Sequence, residues 1–141
     1  MPTFVDSSGW IAAKNWRDRR HTEAVAALAE LADRRERLVT TDFVLDETYT
    51  VLLQEVGYAV TVVFKRELDG MAATGTIRMI HVTPEIQTKA WDVFERFNRD
   101  KLWSFTDCTS YIVMREAALT EAFAYDDHFW QMGFIPVARR R

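Results

Sequence analysis

Four acidic side chains lie where the chain is expected to pass from a strand into a helix: Asp6, Glu47, Asp107 and Asp126. Asp6 ends a short apolar run and is followed by two hydroxyl side chains, a pattern typical of a central parallel strand. In open α/β sheets, ligands bind in the crevice beyond the carboxyl ends of the strands. Because strand ends and the first turns of the following helices face the same edge, we expect the four carboxylates to lie at that edge.

A cluster of carboxylates favours metal-dependent chemistry. Like charges packed together raise one another's pKa, so the cluster is costly unless cations neutralise it. Magnesium and manganese ions prefer oxygen ligands and are usually held by one or two direct carboxylates, which leaves room for a phosphate. A bound ion lowers the pKa of an attacking water, and a second ion about 3.5–4 Å away stabilises the leaving oxygen. The acids therefore predict Mg²⁺- or Mn²⁺-dependent hydrolysis of a phosphodiester.

Strands alternate with helices along the chain. Strands are predicted at 3–6, 38–41, 76–82, 121–125 and 134–137, and helices at 9–15, 21–36, 43–56, 58–73, 84–98 and 107–117. The segment 58–73 begins β-branched like a strand and ends like a helix, and we interpret it as a helix. The alternation predicts a three-layer α/β/α sandwich with a mainly parallel central sheet, in a single domain that spans residues 1–141.

Polar side chains mark three of the predicted helix starts. Asp42 is predicted to cap the helix that Gly57 ends. Thr83 and Pro84 open a later helix, since a hydroxyl suits the cap and a proline suits the first turn. Thr106 is predicted to cap the helix that contains Asp107.

The composition is that of a soluble cytoplasmic protein. The 141 residues are 48% hydrophobic and carry a net charge of −3, so nucleic-acid contact must come from local patches. The lone Cys108 excludes an intramolecular disulfide and a cysteine-based zinc site, which fits a reducing cytosol. No signal-peptide pattern and no uninterrupted apolar run of about 18 residues is present. We therefore expect no membrane contact.

Four short blocks, taken in order, resemble the signature blocks of the PIN-domain ribonucleases. They are Phe4-Val5-Asp6-Ser7-Ser8, Val44-Leu45-Asp46-Glu47-Thr48, Ser104-Phe105-Thr106-Asp107 and Ala124-Tyr125-Asp126-Asp127-His128-Phe129. Their order and spacing are most similar to those of VapC-type toxins of bacterial and archaeal toxin–antitoxin pairs. The resemblance implies a metal-dependent endoribonuclease that forms a homodimer and is inhibited by a cognate antitoxin covering the cleft. It also implies a metal-binding quartet with polar neighbours, namely Asp6, Glu47, Asp107 and Asp126 with Ser8 and Thr106.

In two pairs of adjacent acids, only one member of each pair is expected to bind metal. Asp46 and Glu47 point about 100° apart on a helix, so both cannot face the cleft, and the family pattern selects Glu47. Asp127 stands where a basic or neutral residue is commoner in the family, which leaves open whether Asp126 or Asp127 binds metal. The histidines match no metal-binding spacing and are not expected to act as ligands or bases: His21, His81 and His128.

One loop combines an aromatic side chain with basic ones. Trp16 lies among Arg17, Arg19 and Arg20, which suits stacking on an RNA base while guanidinium groups hold phosphates. The alternatives are a contact with a partner protein and a merely solvated loop. The terminal run 139–141, three arginines, is expected to be a disordered solvated tail, with RNA contact as the alternative.

Other functions are compatible with an acid after the first strand. A phosphatase is disfavoured because Asp6-Ser7-Ser8 lacks the second Asp of a DxD pair, and a receiver domain because no Lys follows the last strands. Two alternatives remain beside the toxin. One is a PIN-like module that binds RNA or protein without catalysis, and the other is an RNA-processing nuclease outside a toxin–antitoxin pair.

Overall fold

The structure, a computed structural model, describes residues 2–137 and has a five-stranded parallel sheet at its centre. The strands are β1 Thr3–Val5, β2 Leu38–Thr41, β3 Ile77–Ile80, β4 Glu121–Phe123 and β5 Ile135–Pro136. Their order in the sheet is β3-β2-β1-β4-β5, and every neighbouring pair runs parallel. The predicted parallel sheet is confirmed, although four of the five strands are shorter than predicted.

Seven helices lie within the described residues. They are α1 Ser7–Lys14, α2 His21–Asp33, α3 Asp42–Glu55, α4 Tyr58–Ala73, α5 Pro84–Phe97, α6 Phe105–Glu116 and α7 His128–Gln131. Crossovers between parallel strands are right-handed, which places α1 to α4 on one face of the sheet and α5 and α6 on the other. The predicted three-layer arrangement is confirmed, and the ambiguous segment 58–73 is a helix.

The order of the strands reverses at β1. From β1, the next two strands in the chain extend the sheet to one side, and β4 and β5 extend it to the other. At such a switch point, the segments that leave the two central strands go to opposite faces and open a crevice between them. Asp6 follows β1 and Asp126 comes shortly after β4. The topology therefore brings both acids to one crevice.

The central strand is held by close packing. All three residues of β1 are buried, as expected for a parallel strand covered on both faces. The ring of Phe4 lies 6.1 Å from that of Phe129, and the rings of Trp10 and Phe64 lie 5.4 Å apart, measured between centroids. All four aromatic side chains belong to the main core. This packing fixes the position at which β1 ends and α1 begins.

Two of the predicted helix caps are wrong. Thr41, not Asp42, caps α3, because Thr41 Oγ1 accepts the N–H of Val44 at 3.0 Å. Ser104, not Thr106, caps α6 and accepts the N–H of Asp107 at 3.0 Å. A cap residue must keep extended backbone dihedrals, and Thr41 and Ser104 do so. Asp42 instead accepts the N–H of Val82 at 2.8 Å and ties α3 to the end of β3.

The helix α7 was not predicted. It contains only four residues, His128–Gln131. A segment this short carries no helical periodicity that a sequence pattern could reveal. Its consequence for the site is large, because it places His128 beside α6.

Gly9 lies where α1 crosses β4, and we expect Gly9→Ala to destabilise the protein. A Cβ atom at this position would lie 2.4 Å from the carbonyl oxygen of Phe123 and 2.9 Å from the Cδ2 atom of its ring. Relief of this clash requires α1 and β4 to separate, so the free energy of unfolding should fall by about 1–3 kcal/mol or more. Urea denaturation followed by circular dichroism measures it.

Gly70 in α4 is the matched control for Gly9. A Cβ atom at Gly70 would meet nothing within 4 Å. Gly70→Ala is therefore expected to leave stability unchanged or to raise it by about 1 kcal/mol, since alanine favours the helix. Equal losses in both variants would contradict the steric explanation.

Two sequence-based expectations concern the membrane and the C-terminus. Among residues 2–137, no helix has the length and apolar character needed to cross a bilayer. The arginine run 139–141 lies outside the described residues.

Candidate active site

Asp6 is anchored at the centre of the crevice and is 1% exposed. Its backbone N–H donates to the carbonyl oxygen of Phe123 in β4 at 3.1 Å. As the N-cap of α1, its Oδ2 atom accepts the backbone N–H of Ser8 at 3.1 Å and the Ser8 hydroxyl at 2.7 Å. Its Oδ1 atom is buried without a hydrogen-bond partner among the described residues. One carboxylate oxygen is thus fixed by Ser8, and the side chain of Asp6 lies close enough to Asp126 to lower the pKa of that carboxyl.

The carboxylate of Asp6 is repelled by neighbouring negative charges. Burial raises the pKa of Asp6 well above its ordinary value, and the negative charges of Asp126 and Asp107 raise it further. The hydrogen bonds from Ser8 act in the opposite direction. The three carboxylates therefore lie within electrostatic reach of one another, which a bound cation would relieve.

Asp107 is oriented by the first turn of α6. It forms a capping box with Ser104, in which Asp107 Oδ2 accepts the backbone N–H of Ser104 at 2.9 Å. The same Oδ2 atom lies 2.6 Å from Nδ1 of His128. Asp107 itself is buried, whereas Ser104 is exposed and His128 is partly buried. Its carboxylate is consequently held in one orientation.

Asp126 and His128 complete a cluster with Asp107. Asp126 Oδ1 accepts the backbone N–H of His128 at 3.2 Å. Burial and the charge of Asp107 raise the pKa of Asp126, while His128 lowers it. One potential ligand atom from each of Asp107, Asp126 and His128 lies within 4.8 Å of the other two. This spacing is compatible with a single ion held between them.

Glu47 reaches the crevice from α3. Its Oε1 atom accepts a hydrogen bond from the hydroxyl of Ser7, the residue that follows Asp6. Asp46 is exposed, as expected for its position about 100° around the helix. The structure therefore ties Glu47, rather than Asp46, to the residue next to Asp6, while the group of close ligand atoms found among residues 2–137 consists of Asp107, Asp126 and His128.

The adjacent acids Asp126 and Asp127 differ in environment. Asp126 is partly buried, and its charge acts on Asp6. Asp127 is exposed at the start of α7. The geometry favours Asp126 as the fourth acid.

The two predicted polar neighbours of the acids, Ser8 and Thr106, also differ. Ser8 donates a hydrogen bond directly to Asp6, whereas no side-chain hydrogen bond within residues 2–137 joins Thr106 to the acids.

The donor set suits a hard divalent cation. It consists mainly of carboxylate oxygens, and the buried, unpartnered Oδ1 of Asp6 is the kind of atom that a ligand satisfies. Cys108 does not compete, because burial raises the pKa of its thiol to about 11 and keeps it protonated at neutral pH. The thiol packs instead with Val93 and Trp103. Magnesium or manganese fits this set better than a thiophilic metal.

His128 is the site residue that sequence analysis did not select. Its contact with Asp107 spans 21 positions in the chain and exists because α7 packs against α6. A histidine two residues after a candidate metal-binding acid was the available signal. His21 and His81 lie elsewhere: His21 Nδ1 is 2.9 Å from the carbonyl oxygen of Ala12, and His81 pairs with Asp42 at 3.4 Å.

The chain is similar to known proteins over nearly its whole length, including the segments that form this site. The PIN domain family model matches residues 3–135. The 23S rRNA-specific endonuclease VapC20 of Mycobacterium tuberculosis is 32% identical over 134 residues, covering 95% of this chain and 96% of the relative. The VapC ribonuclease of Archaeoglobus fulgidus is 28% identical over 130 residues, covering 92% and 80%.

A solved structure shares the fold. The crystal structure of Mycobacterium tuberculosis VapC20, described as a sarcin–ricin loop cleaving toxin, matches with a TM-score of 0.80 and 31% identity. The match covers 94% of this chain and 96% of that one. The family match, the sequence identity and the common parallel sheet show that this chain belongs to the PIN domain family.

Proposed function

We propose that this protein is a metal-dependent endoribonuclease, the toxin of a toxin–antitoxin pair, which hydrolyses RNA phosphodiester bonds. The observation that carries the proposal is the crevice between β1 and β4, where burial and the charges of Asp126 and Asp107 raise the pKa of Asp6, and one buried oxygen of Asp6 has no hydrogen-bond partner among residues 2–137. The nuclease names of the relatives over nearly the whole chain support the same function.

Four acids would hold the ion, either Mg²⁺ or Mn²⁺: Asp6, Glu47, Asp107 and Asp126. A bound ion of this kind lowers the pKa of an attacking water and stabilises negative charge on the phosphoryl oxygens. Ser8 fixes one oxygen of Asp6, and Ser7 holds the carboxylate of Glu47. His128 holds Asp107 and lowers the pKa of Asp126, which favours the ionised form. These contacts pre-organise the carboxylates before the substrate binds.

Within residues 2–137, no pair of histidines is placed for the other common ribonuclease mechanism. Attack by the neighbouring 2′-OH needs a general base and a general acid, usually two histidines. Within residues 2–137, His128 is the one histidine at the acidic cluster. We therefore infer that water is the nucleophile and that the products carry a 5′-phosphate and a 3′-OH.

The relatives suggest a substrate and partners. The name of the mycobacterial relative specifies 23S rRNA, and that of its structure specifies the sarcin–ricin loop, so we propose 23S rRNA as the first substrate to test. We further propose a cytoplasmic location, a cognate antitoxin and a homodimer. Exposed apolar side chains such as Leu102, which is 89% exposed, and Trp91 offer surface for such partners.

Purified protein with Mg²⁺ is expected to cut 23S rRNA at a discrete position and to leave a 5′-phosphate and a 3′-OH. Primer extension locates the cut, and digestion by a 5′-phosphate-dependent exonuclease identifies the end. EDTA should stop cleavage and added Mg²⁺ or Mn²⁺ should restore it, because the carboxylates act through the ion.

A noncatalytic PIN-like module would give a different result. It would bind RNA without cutting it at any concentration of divalent ion. A 2′,3′-cyclic phosphate end, or cleavage that survives thorough chelation, would overturn the proposed mechanism. A cut in another RNA but not in 23S rRNA would retain the enzyme and change only the substrate.

A further inference from the structure

The loop 15–20 is ordered by its own hydrogen bonds. Arg17 N–H donates to Asn15 Oδ1 at 2.9 Å, and Arg20 N–H donates to Asp18 Oδ1 at 2.8 Å. Asn15 is buried and its Nδ2 donates to Glu55 at the end of α3, at 3.1 Å. These hydrogen bonds therefore hold the backbone of the loop in a defined conformation.

This loop reaches the edge of the acidic crevice. The guanidinium carbon of Arg20 lies 5.1 Å from the centroid of the Tyr125 ring. Tyr125 directly precedes Asp126, and its backbone N–H donates at 3.0 Å to the Ser8 hydroxyl, which in turn donates to Asp6. The guanidinium of Arg20 therefore packs on the residue that directly precedes Asp126.

The exposed face of the loop has the chemistry of single-stranded RNA recognition. Trp16 is 63% exposed, and the guanidinium carbon of Arg17 lies 4.8 Å from the centroid of its ring. Arg17 and Arg19 form no ion pair within residues 2–137, so their charges are available to an anion. A base stacked on an aromatic ring and phosphates held by guanidinium groups are the usual elements of such sites.

Acidic groups also lie near the loop and keep their negative charges. Arg20 is 3.7 Å from the carboxylate of Glu23, a distance at which an exposed pair contributes little. Asp18 accepts the Arg20 N–H, and Glu55 accepts from Asn15. A polar depression of about 480 Å³ is lined by Arg17 and Arg19 together with Asn15, Asp18, Gln54 and Glu55, so its lining is mixed in charge.

We propose that the loop 15–20 binds the RNA strand next to the scissile phosphate, with a base stacked on Trp16 and flanking phosphates held by Arg17, Arg19 and Arg20. The inference rests on the proposed ribonuclease function. RNA is the occupant we favour, because single-stranded RNA offers both a base for the exposed ring of Trp16 and phosphates for Arg17 and Arg19, which form no ion pair within residues 2–137.

The test measures RNA binding separately from cleavage. The probe is a fluorescein-labelled RNA hairpin with the sarcin–ricin loop sequence, and binding is followed by anisotropy in EDTA over a range of KCl concentrations. Trp16→Ala is expected to weaken binding about fivefold or more with an unchanged salt slope, since stacking is uncharged. Arg17→Ala and Arg20→Ala should each weaken it several-fold and reduce the slope of log Kd against log salt by about 0.7.

Two exposed residues of α4 are matched controls. Arg66→Ala removes an exposed arginine, and Tyr58→Ala removes an aromatic ring that is 75% exposed. Both should bind the hairpin as the wild type does. Arg20→Lys, which keeps the charge, should restore the salt slope, a result that a purely structural role of Arg20 would not produce.

The outcomes separate this inference from the proposed function. Loop variants that bind RNA like the controls would overturn the inference, and so would loop variants that bind RNA normally but lose the co-expressed antitoxin. If the loop variants lose RNA binding while the wild type cuts no RNA, the binding loop is supported and the catalytic proposal fails. Thermal melts of every variant identify any loss caused by unfolding, in which case the exposed Trp16 and Arg17 variants decide.

Discussion

Asp6→Asn is expected to lower the rate of RNA cleavage about a thousandfold or more while the protein remains folded. The amide keeps the shape of the carboxylate but removes the charge that would bind a cation. Its Oδ1 can still accept the hydrogen bonds that Ser8 donates to Asp6, so α1 keeps its cap. Initial rates of cleavage at saturating Mg²⁺ measure the loss, and circular dichroism verifies the fold.

The other members of the quartet should behave alike, and their neighbours should not. We expect Asp107→Asn, Asp126→Asn and Glu47→Gln to abolish cleavage as well. Asp46→Asn and Asp127→Asn change exposed acids in the same isosteric way and should be mild. Retained activity in Asp107→Asn would refute the assignment of that residue. A reversed ranking within either adjacent pair would shift the site by one position.

In EDTA, the stability contributed by Asp6 is expected to fall as the pH rises from about 4 toward neutrality. The folded protein raises the pKa of Asp6 above its ordinary value of 3.8, so the folded state binds the proton more tightly than the unfolded state does. The contribution is therefore complete below the ordinary pKa and is lost as the pH rises through the raised pKa, at about 1.4 kcal/mol per pH unit within that window. Asp126 acts in the same direction. Urea denaturation at a series of pH values measures the trend.

Asp6→Asn and added metal test the cause of this pH dependence. The variant lacks the titrating group, so its free energy of unfolding at neutral pH in EDTA should exceed that of the wild type. Millimolar Mn²⁺ should raise the melting temperature of the wild type by several degrees and that of Asp6→Asn much less, because an ion that binds only the folded state stabilises it. Superimposable pH profiles for the two proteins would show that repulsion at Asp6 is not the source.

The parallel sheet could be predicted because its signal is local. Short apolar runs alternate with helical segments, and right-handed crossovers allow few arrangements of such units. Even the ambiguous segment 58–73 was resolved correctly as α4. Acids at strand ends and helix starts could then be predicted to lie at one edge of the sheet, since the carboxyl ends of parallel strands all lie at that edge.

The helix caps are a feature that local sequence preferences could not decide. Thr41 and Asp42 are both competent caps, as are Ser104 and Thr106, and their intrinsic preferences differ too little to decide between them. The decision falls to the backbone that leaves each preceding segment, because only the residue with extended dihedrals can accept from the first turn. That conformation depends on how the strand and the loop pack.

By itself, the sequence determined the fold class, the parallel direction of the strands and the four candidate acids, because each of these follows from patterns within a few residues or from one ordered set of short blocks. Only the tertiary structure decided the contacts between distant segments. It placed His128 against Asp107, turned Glu47 toward Ser7, and set Arg20 on the ring of Tyr125 beside the crevice. These pairs are separated by 21, 40 and 105 positions. They meet because α7 packs on α6, α1 packs on α3, and Arg20 packs on Tyr125, which follows β4 and Ala124, contacts that no local pattern encodes.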